Sequence, residues 1–230
     1  MLKRLLALLL PPRPLQTLSS LDAYAQWAAA YPPRAHNALM QAEEAAMLSL
    51  LPDLTARIVL DLACGTGRYG LLAHERGAKR VIGLDNSAAM LCANPLKTIA
   101  RSTSEAIPLA EDSVDVVLCG LALGHLPRLE PTMREISRVL KAGGCALISD
   151  FHPFIFLNGQ RRTFTAPDGK TYAVEHYPHL YSDYHHATSQ AGLDIKHIVE
   201  PRLGVDTGVQ FADDSTRIGT PVVMVYYLTK

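Results

Sequence analysis

The chain has no pair of cysteines in C-x-x-C spacing, no net charge, no long apolar run and no internal repeat. Each absence removes a class of protein. Its four cysteines (Cys64, Cys92, Cys119 and Cys145) are scattered, and three sit in apolar runs, so they read as small buried thiols in a reducing compartment rather than a disulfide or zinc framework. Twenty-two basic and 22 acidic residues cancel, which leaves no electrostatic case for a nucleic-acid or anionic-membrane partner. No stretch is long enough to span a bilayer. Met1-Leu2-Lys3-Arg4 followed by Leu5 to Leu10 imitates a signal peptide, but Pro11-Pro12 ends the apolar run and no A-x-A site follows closely. Residues 1–17 are therefore expected to be a loose leader on a cytoplasmic protein.

What is present is enough apolar sequence, 48% of 230 residues, to bury one full core. From Leu18 to Leu51 the apolar spacing is helical, broken once at Tyr31-Pro32-Pro33. The first piece places Leu21, Tyr24, Trp27 and Ala28 on one face. The second, starting at Arg34, places Leu39, Ala42, Ala46 and Leu50 on another, and Pro52 ends it. From Arg57 short apolar runs alternate with helical segments, as in a parallel sheet covered on both faces. Strands are expected at Ile58–Leu62, Arg80–Leu84, Ala100–Thr103, Val114–Cys119, Gly144–Ser149, Leu193–Glu200 and Val222–Leu228. Helices are expected at Gly67–Arg76, Ser87–Asn94, Leu129–Leu140 and Ser182–Ala191, the last closed by Gly192. Lys141-Ala142-Gly143-Gly144 reads as a tight turn. The excursion 151–181 carries a hairpin signal, Asp168-Gly169 between Arg161–Thr165 and Lys170–Val174. It follows a strand's carboxyl end, where open α/β sheets place substrate.

The most informative run is Asp61-Leu62-Ala63-Cys64-Gly65-Thr66-Gly67-Arg68-Tyr69-Gly70: a buried strand, a glycine turn and a helix start. Such a turn lets a ligand approach the backbone at the positive end of a helix. Gly65, Gly67 and Gly70 satisfy G-x-G-x-x-G, and Asp85 follows at the spacing of a ribose-binding acid, so a nicotinamide enzyme is one reading. Asp61 argues against it. A carboxylate just before the turn repels pyrophosphate and suits a cationic ligand such as S-adenosylmethionine.

The motif Asp61 to Gly67, the run Gly83-Leu84-Asp85-Asn86-Ser87-Ala88-Ala89-Met90-Leu91 and the run Ile107 to Asp115 together resemble class I S-adenosylmethionine-dependent methyltransferases of the small-molecule type, the ubiquinone/menaquinone and malonyl-carrier-protein group among them. The resemblance covers about Tyr24 to Leu157. It implies a Rossmann-like, seven-stranded, mostly parallel sheet with helices on both faces and the last strand antiparallel. Residues 18–230 then form a single methyltransferase domain with an N-terminal helical cap (18–52) and a substrate lid (151–181). It further implies S-adenosylmethionine as cofactor, with Asp85 on the ribose, Asn86 and Met90 along the adenine, and Ser104 and Glu105 beside that ring. Ala63, Gly65 and Gly67 would pass against the methionine part, Leu121 would cover the donor, and Tyr24 would fold over its methionine end. Many relatives have an aspartate where Thr103 stands, which leaves recognition of the adenine amino group differently arranged here.

Two histidines are candidate bases for the acceptor. His125 lies just beyond the fourth strand, and His152 at the end of the fifth. His176 and Tyr181, with Glu175, are candidates for touching substrate. H-x-x-H at His176 and His179 lacks the i, i+4 geometry of a helical metal site, so no metal is expected. Arg161-Arg162 with Lys170 reads either as a solvated turn or as an attractor for an acidic substrate group. No Asp/Asn-Pro-Pro-Tyr motif follows the fourth strand and no Pro-Cys nucleophile exists, which weighs against DNA. The expected activity is methyl transfer to oxygen or nitrogen of a small molecule, by a monomer or homodimer. The alternatives are a non-catalytic donor-binding regulator and a nicotinamide-dependent oxidoreductase.

Overall fold

The computed structural model describes residues 15–202 and 219–230. In chain order these form β1 (Thr17–Leu18), α1 (Ser20–Trp27), α2 (Ala38–Leu50), β2 (Ile58–Leu62), α3 (Arg68–Glu75), β3 (Arg80–Asp85), α4 (Ala88–Cys92), β4 (Ile99–Arg101), β5 (Val114–Gly120) and α5 (Glu130–Val139). They continue with β6 (Leu140–Phe151), α6 (Pro153–Leu157), β7 (Thr163–Thr165), β8 (Thr171–Val174), α7 (Tyr181–Gln190), β9 (Asp194–Val199) and β10 (Val223–Thr229).

The main sheet has seven strands in the order β4-β3-β2-β5-β6-β10-β9. All neighbours pair in parallel except β10, which runs antiparallel to both β6 and β9. The expected architecture is therefore present, with every strand of the main sheet at its expected place within a few residues. Adjacent residues of each central strand go to opposite faces. Leu60, Val117, Cys119, Ala146, Ile148 and Tyr226 pack against α5 and α7 through Met133, Ile136, Tyr184 and Ala187. Val59, Val116, Leu118, Leu147 and Val225 pack against α2 and α3 through Ala46, Met47, Tyr69 and Ala73. A sheet buried on both faces explains why the strands read as unbroken apolar runs.

Several local expectations differ. The first cap helix buries Ala23, and Ala28 is buried in the turn after it, while Leu21 stays exposed. The second begins at Ala38, because the Asn37 side chain accepts the Met40 N–H and caps it there. Its buried stripe is Met40, Ala42, Glu43, Ala46 and Met47, displaced from the expected face and including an acid. The turn expected at residues 141–144 is instead a bulge within β6, where Val114 pairs with Leu140 and Val116 already with Cys145. Gly143 takes φ +74° there. Gly192 (φ +71°) follows α7 as expected.

The hairpin forms as β7–β8, but it does not stand alone. β1 pairs in parallel with β8, making a second sheet in the order β1-β8-β7. Thr17 is thus paired rather than loose; residues 1–14 of the expected leader lie outside the described part. Trp27 of the cap stacks on Phe164 of the hairpin, ring centroids 5.3 Å apart. Among the described residues no helix is long and apolar enough to cross a membrane.

Candidate active site

Strand order reverses between β2 and β5, and a cavity of about 200 Å³ opens at the carboxyl ends of β2, β3 and β5. One wall is the glycine turn and the strand tips. The other is made by the cap and the hairpin.

The three glycines of the turn do three different things. Gly65 (φ +51°) has no atom within 4 Å of where a Cβ would stand, so that space is left to the cavity it lines. Gly67 (φ +95°) caps α3, and a Cβ there would meet the Asn94 side chain at 2.7 Å. Gly70 lets α3 press on β2, since a Cβ would meet Leu96 at 2.4 Å and Asp61 Oδ2 at 3.0 Å. Gly67 and Gly70 are not among the residues that line the cavity, and the place of their missing Cβ is taken by packing neighbours.

Both strand-tip acids line the cavity. Asp61 Oδ2 accepts the Gly70 N–H at 2.7 Å. Burial raises its carboxyl to about 7, outweighing that hydrogen bond and the nearby Arg68, with Asp85 adding a smaller upward push. Asp85 accepts the Gly65 N–H on Oδ2 and the Ser87 N–H on Oδ1, each at 2.8 Å. Burial lifts its carboxyl above the usual range in spite of both bonds. Thr66 lines the same cavity, and its buried hydroxyl has no hydrogen-bond partner among the described residues. Ala63, Asn86, Met90, Ser104 and Leu121 complete this wall as expected. Glu105 does not: it is exposed beyond the wall, and Ser102, the first residue after β4, lines the cavity instead.

The facing wall holds Tyr24 and Tyr31 of the cap, His125, and Arg162 of the hairpin. His125 Nε2 lies 2.8 Å from Arg162 Nη1 and 3.1 Å from the Tyr24 hydroxyl. A guanidinium only donates, so Nε2 accepts, and Nδ1–H donates to the Glu175 carbonyl at 2.8 Å. Burial, with Arg162 next, depresses the imidazole to about 3 and keeps it neutral. Burial likewise holds the Tyr24 phenol well above its ordinary value, with Arg162 opposing. His125 is in the cavity, but its lone pair is already engaged.

His152 is corrected. It is not in the cavity wall. Its Nδ1 accepts the Phe154 N–H at 3.2 Å, capping α6, and its Nε2 faces Glu200 at 2.9 Å and the Tyr181 hydroxyl at 3.0 Å. With both nitrogens engaged, it has no lone pair for an acceptor. Tyr181 is drawn into the same contact, its hydroxyl donating to Glu200 Oε1. His176 is also outside the wall. It packs behind Gly124, where a Cβ would meet its ring at 2.1 Å, and against Phe151. Burial, followed by Arg162, lowers it to about 4. Among the described residues no group of three or more His, Cys, Asp or Glu is placed to hold a metal. The basic cluster divides: Lys170 pairs with Asp168 at 3.2 Å, Arg161 lies over Phe156, and only Arg162 enters the cavity. Strand alternation carries the signal for it, since Arg162, Phe164 and Ala166 share one face and Phe164 and Ala166 are buried.

Beneath the cavity, Glu43 of α2 is fully buried. It pairs with Arg68 of the glycine turn at 2.7 Å and accepts from the Tyr69 hydroxyl at 2.7 Å and from the Ser149 hydroxyl of β6. The Ser149 oxygen in turn accepts the Leu121 N–H at 3.0 Å. This network fixes the cap to both the turn and the tip of β5. Nothing in the helical spacing announced it, because it depends on a charge placed on the apolar stripe.

The sequence profile of the family described as "Methyltransferase domain" matches residues 60–148. A demethylmenaquinone methyltransferase from Lactococcus lactis is 39% identical over 113 residues, 44% of this chain and 45% of that protein. A malonyl-[acyl-carrier protein] O-methyltransferase from Xylella fastidiosa is 33% identical over 115 residues, 46% of this chain and 39% of its own length. The matched stretch thus spans less than half of these two curated relatives. A crystal structure of a putative S-adenosylmethionine-dependent methyltransferase from Listeria monocytogenes superposes with a TM-score of 0.66 at 23% identity, over 82% of this chain and 98% of that one. Motif order and family match agree that residues 60–148 match a methyltransferase domain family, and the sheet shares its fold with S-adenosylmethionine-dependent methyltransferases.

Proposed function

We propose that the protein transfers a methyl group from S-adenosylmethionine to a small-molecule acceptor. The observation that carries this reading is the donor wall itself: a cavity at the strand tips with two buried acids, an open glycine position and a Thr66 hydroxyl awaiting a partner. These residues fit the donor. A cation offsets the cost of keeping Asp61 and Asp85 ionised out of water, whereas pyrophosphate would be repelled. Asp85 would hold the ribose hydroxyls through the oxygen lone pairs its two backbone bonds leave free, and Met90 and Asn86 would line the adenine. When bound, the donor supplies a methyl carbon on a positively charged sulfur.

The protein's own contribution is then placement and dryness. The cap and hairpin close the side opposite the strand tips, so the acceptor is held against the donor with little water present. The two curated relatives carry acceptors as different as a quinone and a carrier-bound acid in their names, so the acceptor is argued below from this chain's own residues. Neutral charge and the absence of a basic tract support a small molecule over nucleic acid.

Calorimetric titration tests the reading. S-adenosylmethionine and S-adenosylhomocysteine are expected to bind and NADH is not. Labelled donor with a pooled metabolite extract is expected to yield methylated product. NADH binding without donor binding would overturn the assignment, and donor binding without any turnover would leave a donor-binding regulator in its place.

A further inference from the structure

We propose that the methyl acceptor is an organic acid, methylated on its carboxylate, and that Arg162 is the residue that holds it. This rests on the methyl-transfer reading above and deepens it.

Among the described residues four charged ones line the cavity: Asp61, Asp85, Arg68 and Arg162. Arg68 is compensated, with Glu43 at 2.7 Å and Glu44 at 3.6 Å. Arg162 has no such partner: among the described residues no carboxylate lies within ion-pair distance of it, and the buried Asp150 acts on it only from beyond that distance. Its Nη1 uses both hydrogens, one on the Leu121 carbonyl at 2.9 Å and one on His125 Nε2 at 2.8 Å. Nε–H and the two Nη2–H groups have no hydrogen-bond partner among the described residues. That free edge of a planar fork is the geometry that takes a carboxylate through two parallel hydrogen bonds. Phe151 lies 4.8 Å and Tyr24 5.5 Å from the guanidinium carbon, so the group is held in place by aromatic rings rather than by an opposite charge.

The cavity is thereby polarised. Acids stand on the strand-tip side and a cation without an ion-pair partner among the described residues stands on the hairpin side, beside imidazoles that burial keeps neutral. A cationic donor and an anionic acceptor complement the two ends. On the hairpin side the same arrangement withholds a base from the acceptor. Among the described residues His125 is the one imidazole in the cavity wall, and its lone pair already receives the Arg162 N–H, while the two carboxylates stand across the cavity at the strand tips. A hydroxyl or ammonium acceptor needs a proton removed, whereas a carboxylate is ionised at neutral pH and needs none. In the step proposed, a carboxylate oxygen of the acceptor attacks the methyl carbon and the carbon–sulfur bond breaks. The electron pair stays on sulfur, leaving a neutral thioether and a neutral methyl ester. One negative and one positive charge cancel, and no proton is released.

The experiment uses the full-length protein, donor labelled in its methyl group and a metabolite extract split by ion exchange into acidic, neutral and basic fractions. The expected result is transfer to the acidic fraction, with the label released as methanol by mild alkali, as methyl esters do and ethers, N-methyl and C-methyl products do not. Arg162→Gln is expected to lower that transfer by about tenfold or more, with partial recovery in Arg162→Lys and S-adenosylhomocysteine affinity kept within about twofold. Transfer confined to neutral or basic fractions, or an alkali-stable label, overturns the proposal without touching methyl transfer itself. Loss of S-adenosylhomocysteine affinity in Arg162→Gln by a similar factor assigns the guanidinium to the donor's own carboxylate and also overturns it. No transfer to any fraction while donor still binds overturns both readings. The alkali test needs only the unmutated protein, so it stands even if the variants do not fold.

Discussion

The two walls of the cavity are built by different means. The strand-tip wall is made by residues 61–104, and its shape is set by hydrogen bonds from main-chain amides: Gly70 to the Asp61 carboxylate, Gly65 and Ser87 to the Asp85 carboxylate, and Gly67 to the Cys64 carbonyl. The facing wall assembles side chains from positions as far apart as Tyr24, His125 and Arg162, and its shape is set by contacts among them. A wall fixed by backbone tolerates little change in chain geometry, while a wall fixed by side chains can be redrawn by single substitutions. This division suits a protein whose donor is fixed and whose acceptor is particular to it.

The sharpest way to break the comparison is at the point where the walls are joined. Glu43→Ala leaves the Arg68 guanidinium buried without its 2.7 Å partner, and a loss of about 3–5 kcal/mol in urea unfolding is expected. A loss near zero would show the walls to be independent. Next in size is Asp85→Ala, which removes the acid that receives two backbone amides at the donor wall. Donor affinity should fall by about 1–3 kcal/mol in calorimetry while the fold is retained. Unchanged affinity in the folded variant would put the ribose elsewhere.

A third effect is a pH dependence. The Asp61 carboxyl, raised by burial to about 7, must be ionised to favour a cation. Donor affinity is therefore expected to be full above that pH and to fall as pH drops through it, by up to about tenfold per unit. Binding at neutral pH should release protons, seen as a heat that varies with the buffer's own ionisation enthalpy. Asp61→Asn should abolish the dependence, and its persistence in that variant would assign it to another group. The smallest effect concerns the residues moved off the wall. Glu105→Ala should leave donor affinity within about 0.5 kcal/mol, as exposed substitutions do. His152→Ala should leave donor affinity equally unmoved, with any loss appearing in stability, since its imidazole caps α6.

The same division explains what could be read from the sequence. Strand positions, the mostly parallel sheet with its antiparallel last strand and most of the strand-tip wall are legible, because Asp61, Gly65, Asp85, Asn86 and Met90 are tied to their neighbours by spacing within two successive β-turn-α units. Even there, cavity contact was assigned to Gly67 and Glu105, whose roles turn on whether a residue faces the cavity or the next helix. Ser102 illustrates the same limit, since a shift of a few residues along a loop exchanges it for Glu105. The facing wall was hardly legible. His125 was named, but the guanidinium that engages its lone pair comes from a hairpin 37 residues later. His152 sits at the expected strand end, yet Phe154 and Glu200 take both its nitrogens, and only the folded chain brings Glu200 there. Arg162 had a local signal in the alternation with Phe164 and Ala166, whereas Glu43 had none.

The small sheet β1-β8-β7 has a mechanical consequence. Gln16 and Leu18 give their carbonyls to the Ala173 and Glu175 amides, and Trp27 lies flat on Phe164. The chain ahead of the cap is thus stitched to the hairpin about 155 residues further on. Neither can swing aside alone, so a ligand that enters or leaves on this side must part those main-chain bonds in one event. On this side the cavity is closed by one stitched unit rather than by two independent flaps.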